Sequence, residues 1–236
     1  MPRFDLIAFD ADDTLWHNER LYHETQALFA QVLSPYASNE EIDKKLYQTE
    51  SRNLAVYGYG IKAFALSMIE AAIEVSRGAI STDDISAIIN QVKHMLSTRP
   101  ELLPHTLETI TTLSRSYPLM MITKGDLFDQ ENKVSHSGLG EYFKHVEILS
   151  EKHLDSYVQL LKRYNINPQH FLMVGNSMRS DILPILEMGA SAVYIPYHLT
   201  WAHEKAEPPS AEQPGFFELE HMGLLPDLLQ RLEQEN

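Results

Sequence analysis

Short apolar runs that end in polar residues recur along this chain, and they constrain its fold more than any other feature. The first run covers residues 4–9 and ends in the sequence Asp-Ala-Asp-Asp-Thr at 10–14. A buried parallel strand has this form, with continuous apolar residues and polar residues at its carboxyl end. We therefore predict a strand here and at five later runs, which cover residues 118–122, 146–149, 171–174, 192–195 and, more weakly, 216–219.

Helical patterns fill most of the chain between these runs. Apolar residues share one helical face at 103–113, 157–164, 182–186 and 224–232. Strands that alternate with helices imply βαβ units with right-handed crossovers. The predicted fold class is α/β, with a doubly wound, mostly parallel sheet.

The stretch from residue 16 to residue 100 breaks this alternation. Helical patterns follow one another there at residues 21–33, 38–49, 63–75 and 82–96. We predict an α/β core domain made of residues 1–15 and 101–236, with an all-helical cap domain at 16–100 inserted after the first strand. The glycine-containing sequence at 57–60 is interpreted as a turn between two cap helices.

Composition excludes several classes of function. The formal net charge is −14 and no basic cluster is present, so we expect neither nucleic acid polymers nor membrane surfaces as partners. The chain has no Cys, which excludes a disulfide framework, a thiolate metal site and a cysteine nucleophile. No apolar run approaches the roughly 18–20 residues that span a bilayer, and no signal peptide is recognised. We expect a cytoplasmic protein.

Polar residues that follow the predicted strands should meet at one edge of the sheet. In an open α/β sheet, ligands bind beyond the carboxyl ends of the strands. The residues brought to that edge are carboxylates, lysines, hydroxyl groups and one amide: Asp10, Asp12, Thr14, Thr123, Lys124, Lys152, Asn176 and Asp181. Such a set suits a phosphoryl group that is held together with a hard divalent cation.

Sequence motifs at these positions resemble those of the haloacid dehalogenase-like (HAD) hydrolase superfamily. The family pattern Asp-x-Asp-x-Thr is matched at 10–14, its strand-closing Thr or Ser at Thr123, and its Lys at Lys152. The pattern Gly-Asp-Ser-x-x-Asn-Asp is matched at 175–181. The resemblance covers the chain outside the helical insert and implies a Rossmann-like core.

The resemblance also implies a role for each motif residue. Asp10 would attack phosphorus to form an acyl-phosphate, and Asp12 would act first as general acid and then as general base. Thr123 and Lys152 would hold the phosphoryl oxygens. Mg²⁺ would bind the Asp10 carboxylate, the Asp12 backbone carbonyl and the Asp181 carboxylate. Haloacid dehalogenases lack the second aspartate, because a halide leaving group needs no proton, so Asp12 favours phosphoryl transfer.

Asn176 and Asp13 depart from the family pattern. Asn176 stands where the family usually has Asp, so the metal site loses one negative charge; we interpret this as a tolerated variant. Asp13 occupies a position that is often Gly, and Asp is among the residues that accept left-handed backbone conformations.

The predicted function is Mg²⁺-dependent hydrolysis of a small-metabolite phosphate monoester, either a sugar phosphate or a nucleoside monophosphate. A phosphomutase or dehalogenase-like activity on the same fold, and a catalytically decayed binding protein, are the alternatives. Thr14 and Lys124 are further candidates for contacting the substrate, and Lys124 competes with Lys152 because it directly follows Thr123. Caps of the resembling family contact the substrate, so the candidates in the cap are Arg52, Tyr57, Tyr59 and Lys62.

Overall fold

The described residues form one six-stranded sheet in the computed structural model, which covers residues 3–234. The strands are β1 Leu6–Phe9, β2 Leu119–Lys124, β3 His145–Leu149, β4 Phe171–Gly175, β5 Ser191–Tyr194 and β6 Phe216–Glu218. Their order is β3-β2-β1-β4-β5-β6, and β1 pairs in parallel with both β2 and β4. The predicted α/β fold is confirmed, and β1, which precedes Asp10, lies inside the sheet.

Most helices of the described chain lie where the spacing of apolar residues predicted them. They are α1 Glu19–Leu33, α2 Asn39–Tyr57, α3 Ile61–Val75, α4 Thr82–Ser97, α5 Thr106–Leu113, α6 Leu127–Ser137, α7 Leu154–Tyr164, α8 Leu183–Glu187 and α9 Leu225–Gln234. α2 runs well beyond its predicted end at residue 49, and in this added part Asn53 donates a hydrogen bond to Glu70 of α3. No helix within residues 3–234 is long and apolar enough to cross a membrane.

Alternation along β1 explains how the sheet is covered on both faces. Ile7 and Phe9 lie in one buried cluster with residues of α5 and α9, whereas Leu6 and Ala8 lie in another with residues of α7. Successive side chains of a strand point to opposite faces, so each face of β1 contributes to a separate core. Burial on both faces is the reason that β1 is apolar throughout.

The chain divides into two compact units. The first, here called the sheet unit, consists of Met1–Glu19, Pro100–Thr123 and Lys133–Asn236. The second, here called the helical unit, consists of Arg20–Arg99 and Lys124–Asn132. The helical unit has its own apolar core, which includes Phe29, Ile42, Phe64, Met68 and Ile88.

Residues 124–132 belong to the helical unit, although the sequence prediction assigned them to the core domain. The ammonium of Lys62 lies 2.9 Å from the carboxylate of Asp126. The ammonium of Lys124 lies 4.3 Å from the centre of the Tyr59 ring, which is a cation–π distance. These contacts attach the segment after β2 to the turn between α2 and α3.

A buried carboxyl group in the helical unit predicts a pH-dependent stability. Glu50 is 8% exposed, and burial raises its pKa from 4.5 to about 7. The folded state therefore binds the proton more tightly than the unfolded state does, and stability falls as the pH rises from about 4.5 to about 7. The expected loss is about 3 kcal/mol at most, since one pKa unit corresponds to about 1.4 kcal/mol.

Glu50→Gln should remove this pH dependence. The variant should therefore gain stability relative to the native protein as the pH rises from 4.5 to 7.5. Denaturant unfolding at pH 4.5, 6 and 7.5 measures it. Asp43→Asn is the matched control, because Asp43 is exposed on the same helix. A parallel pH dependence in native protein and Glu50→Gln would contradict the prediction.

Candidate active site

Asp10 directly follows β1 at the carboxyl edge of the sheet. Its carboxylate is almost fully buried and is held by two donors on separate oxygens. The ammonium of Lys152 donates to Oδ1 at 2.5 Å, and the hydroxyl of Thr14 donates to Oδ2 at 2.7 Å. Burial, followed by the charge of Asp181, raises the pKa of Asp10 to about 7 against the opposing effect of Lys152.

Lys152 lies between two buried carboxylates. Its ammonium also donates to Oδ1 of Asp181 at 2.8 Å, and both side chains are 1% exposed. Burial opposes the charged form of Lys152, but the attraction of Asp10 and Asp181 outweighs burial and holds the Lys152 pKa well above its usual value. Two carboxylates and one ammonium leave this group of three with one net negative charge.

Both carboxylate oxygens of Asp181, which the family resemblance assigns to a metal ion, also have partners within the protein. One carboxylate oxygen accepts from Lys152, and the other accepts from the backbone N–H of Ser177 at 2.9 Å. A Cβ at position 175 would lie 2.3 Å from Oδ2 of Asp181, so only glycine fits there. This close approach explains the glycine of the fourth motif.

The side chain of Asn176 instead faces the oxygens expected to hold a metal ion. Its amide end lies 3.2 Å from Oδ2 of Asp10, from the backbone oxygen of Asp12 and from the hydroxyl of Thr14. Acceptor oxygens at this separation need either the amide N–H₂ or a cation between them. Ligands on adjacent positions of an octahedral Mg²⁺ are about 3 Å apart, since each lies roughly 2.1 Å from the ion. The site therefore fits Mg²⁺.

Within residues 3–234, no three His, Asp or Glu side chains are grouped so that they can hold a metal ion. With its oxygen turned towards this edge, Asn176 would supply an amide oxygen beside the backbone oxygen of Asp12 and the carboxylate of Asp10. Asn176 contributes no negative charge to these oxygens.

Asp12 has donors that the sequence analysis missed. The indole N–H of Trp16 donates to Oδ1 at 2.7 Å, and the ammonium of Lys133 lies 3.1 Å from both carboxylate oxygens. Lys133 also donates to the side-chain oxygen of Asn18 at 2.7 Å. A lysine in α6 is not part of the quoted family motifs, so the sequence offered no specific signal for it.

Asp13 adopts the left-handed conformation expected at its position, with φ 62°. Its carboxylate accepts from the backbone N–H of Asn18 at 2.8 Å and from that of Glu19 at 3.0 Å. These N–H groups lie at the start of α1 and have no partner within the helix. Asp13 therefore caps the helix that leads out of the site.

The remaining predicted residues fall into two groups. Thr123 is buried at the carboxyl end of β2, beside β1. Lys124, Tyr59 and Lys62 lie in the helical unit, where Lys124 contacts the Tyr59 ring. The guanidinium of Arg52 forms ion pairs at 3.0 Å with both Glu70 and Glu74, and Tyr57 is exposed at the end of α2.

Glu204 is a further residue that the sequence analysis missed. It lies in the connection between β5 and β6 and contacts the fourth motif. Glu204 accepts hydrogen bonds from the hydroxyls of Ser177 and Ser180, the latter at 2.5 Å. Ser177 in turn binds Asp181 through its backbone N–H, so Glu204 supports the turn that holds Asp181.

Residues 4–189 match the family model of haloacid dehalogenase-like hydrolases. This chain belongs to that family. A crystal structure of a haloacid dehalogenase-like family hydrolase from Xanthomonas campestris superposes with a TM-score of 0.88 at 34% identity, covering 99% of this chain and 93% of that one. This HAD hydrolase thus shares its fold with a solved relative over nearly the whole of both chains.

Curated relatives of this HAD hydrolase include glyceraldehyde 3-phosphate phosphatases. The Pyrococcus furiosus protein is 27% identical over 140 residues, covering 57% of this chain and 55% of the relative. The Methanothermobacter thermautotrophicus protein is 31% identical over 105 residues, covering 42% and 46%. The chain thus matches about half the length of these relatives. A 2-haloacid dehalogenase from Pseudomonas syringae (19% identity, TM-score 0.64, covering 97% and 99%) shares the fold.

Proposed function

We propose that this HAD hydrolase is a Mg²⁺-dependent phosphatase for a small phosphate monoester, with sugar phosphates favoured over nucleoside monophosphates. The observation that carries the proposal is the pair of carboxylates after β1, in which Asp10 is held by Lys152 and Asp12 lies two residues further on. The names of the curated relatives support a sugar phosphate as the substrate class.

In the proposed reaction, a carboxylate oxygen of Asp10 attacks phosphorus and the bond from phosphorus to the ester oxygen breaks. Asp12 gives its proton to the departing oxygen, which leaves as an alcohol. Water then attacks phosphorus in the aspartyl-phosphate while Asp12 accepts a proton from it. Inorganic phosphate leaves, and the Asp10 carboxylate is restored.

The oxygens of Asp10, the Asp12 backbone, Asn176 and Asp181 would hold Mg²⁺, and Asp181 also accepts from Lys152. Bound Mg²⁺ would offset the charge of the phosphoryl oxygens and favour the ionised form of Asp10. We also propose that the helical unit is a cap whose residues Tyr57, Tyr59, Lys62 or Lys124 contact the substrate. Unchanged turnover and substrate preference in Lys62→Ala and Lys124→Ala would count against a cap contact by either lysine.

Asn176→Asp should bind Mg²⁺ more tightly than the native chain, by about tenfold or more, because it adds a carboxylate to a site with few charges. Without Mg²⁺ the variant should melt at a lower temperature, since the new charge lies about 3 Å from Asp10. Calorimetric titration and thermal unfolding with and without Mg²⁺ measure both effects. Asn167→Asp, before the amino end of β4, adds the same charge away from the site and should change neither.

The deciding experiment measures phosphate release from 4-nitrophenyl phosphate and from a panel of sugar phosphates and nucleoside monophosphates, with and without Mg²⁺. Mg²⁺-dependent release that Asp10→Asn abolishes supports the proposal. An isomerised product without free phosphate would favour a mutase. No release from any ester, together with no Mg²⁺ binding, would favour a binding protein.

A further inference from the structure

Lys133 is a cation of the sheet unit that contacts the proposed general acid Asp12. Its ammonium lies 3.1 Å from both oxygens of the Asp12 carboxylate, so the two groups face each other symmetrically. The side chain of Lys133 is 11% exposed and that of Asp12 is 21% exposed. A partly buried pair of this kind is screened less by solvent than a surface ion pair.

Other contacts fix the direction from which Lys133 approaches. Its ammonium donates to the side-chain oxygen of Asn18 at 2.7 Å, and the backbone N–H of Asn18 donates to Asp13 at 2.8 Å. Asn18 therefore links the ammonium to Asp13 by two consecutive hydrogen bonds. Trp16 is a second donor to Oδ1 of Asp12. Its buried indole has a single N–H, and it donates that N–H to this oxygen.

The orientation of Asp12 matters because a general acid must reach the departing oxygen within hydrogen-bond distance. The Asp side chain can change its rotamer, and its carboxylate can turn, unless donors hold it in one orientation. The family resemblance implies roles for Lys152 and Thr123 but none for Lys133. Lys133 contacts Asp12 and Asn18.

We propose that Lys133 is a positioning residue that holds Asp12 in the orientation needed for proton transfer to the leaving group. This inference rests on the proposed function, because it assigns Lys133 to one step of that reaction. The consequence is selective: esters whose leaving group needs a proton depend on Lys133, whereas esters with a good leaving group do not.

The test compares kcat/KM for an alkyl ester, glyceraldehyde 3-phosphate, with kcat/KM for 4-nitrophenyl phosphate, because this ratio reports the first phosphoryl transfer. Lys133→Met should lower the value for the alkyl ester by about 10²-fold, within the usual range of general acid–base catalysis, and the value for the aryl ester by less than about threefold. Lys133→Arg should restore part of the loss. In an Asp12→Asn background, Lys133→Met should have no further effect on the alkyl ester.

Lys162→Met on the exposed face of α7 is the control, and it should change kcat/KM for neither ester. If Lys133→Met does not fold, Asn18→Ala tests the same contact by removing the acceptor that holds the ammonium. Equal losses for both esters, or a higher KM for both at unchanged kcat, would overturn the positioning role. Should the native chain hydrolyse neither ester, the proposed function fails and this inference fails with it; if it hydrolyses both and the variants keep native selectivity, only the role of Lys133 is lost.

Discussion

We expect Asp10→Asn to lower kcat by a factor on the order of 10⁴ or more, because a carboxamide cannot form the acyl-phosphate. The same change should not destabilise the protein. Asp10, Asp181 and Lys152 form a buried group with one excess negative charge, and the substitution leaves a neutral pair of Lys152 and Asp181. The Asn side chain also keeps the shape of Asp: its oxygen can accept from Lys152 while its NH₂ group donates to the hydroxyl of Thr14.

Three measurements separate this expectation from a simple loss of fold. Phosphate release under saturating substrate gives kcat, and thermal unfolding gives the melting temperature. Mass spectrometry of the acid-quenched native enzyme should detect one phosphoryl group on the peptide that contains Asp10, and none in the variant. Residual activity within about tenfold of native would contradict the assignment of Asp10 as the nucleophile.

Lys152→Met should have the largest effect on stability. Asp10 and Asp181 are both buried, and the variant leaves them facing each other without the cation that lies 2.5 Å and 2.8 Å from them. Removing one partner of a buried ion pair typically costs 3–5 kcal/mol, which corresponds to a fall in melting temperature on the order of 10 °C for a chain of this length. Activity should be lost as well, since Lys152 is assigned to the phosphoryl oxygens.

The loss should depend on pH in a defined direction. The pKa of Asp10 is already raised to about 7, chiefly by burial, and the loss of Lys152 removes the main opposing charge. The variant should therefore lose most stability above pH 7 and less at pH 5, where protonated Asp10 carries no charge. Melting curves at both pH values measure this, with Lys162→Met as the surface control.

A double variant tests the cause of the destabilisation. Lys152→Met combined with Asp181→Asn removes one of the two facing carboxylates, so it should be more stable than Lys152→Met alone. If the two variants had the same melting temperature, repulsion between buried carboxylates would not be the reason for the loss of stability.

The sequence was sufficient for the strands and for the edge of the sheet where the motif residues meet. β1 and β4 are buried on both faces, so their apolar runs are continuous and end in polar residues at the carboxyl edge. In a parallel sheet those ends lie side by side, which is why Asp10, Lys152 and Asp181 were predicted near one another.

α6 shows why other parts did not follow from sequence patterns. Its apolar residues Leu127 and Phe128 are exposed, whereas Asp129 and Gln130 are buried. The usual rule that apolar residues face the interior is inverted in the first turn of this helix. Buried Gln130 donates to the backbone oxygen of Lys124, at the end of β2. Hydrophobic spacing therefore predicts neither the helix nor its assignment to the helical unit.

The sequence by itself determined the fold class, the family and the residue types of the site. Only the tertiary structure decided which partner each polar group takes. Asn176 faces Asp10 and the Asp12 backbone while Asp181 binds Lys152, and Lys133 contacts Asp12 across more than a hundred residues of chain. Periodicity and motif spacing describe neighbours along the chain, whereas hydrogen bonds between distant residues depend on where the packed strands and helices bring their ends together.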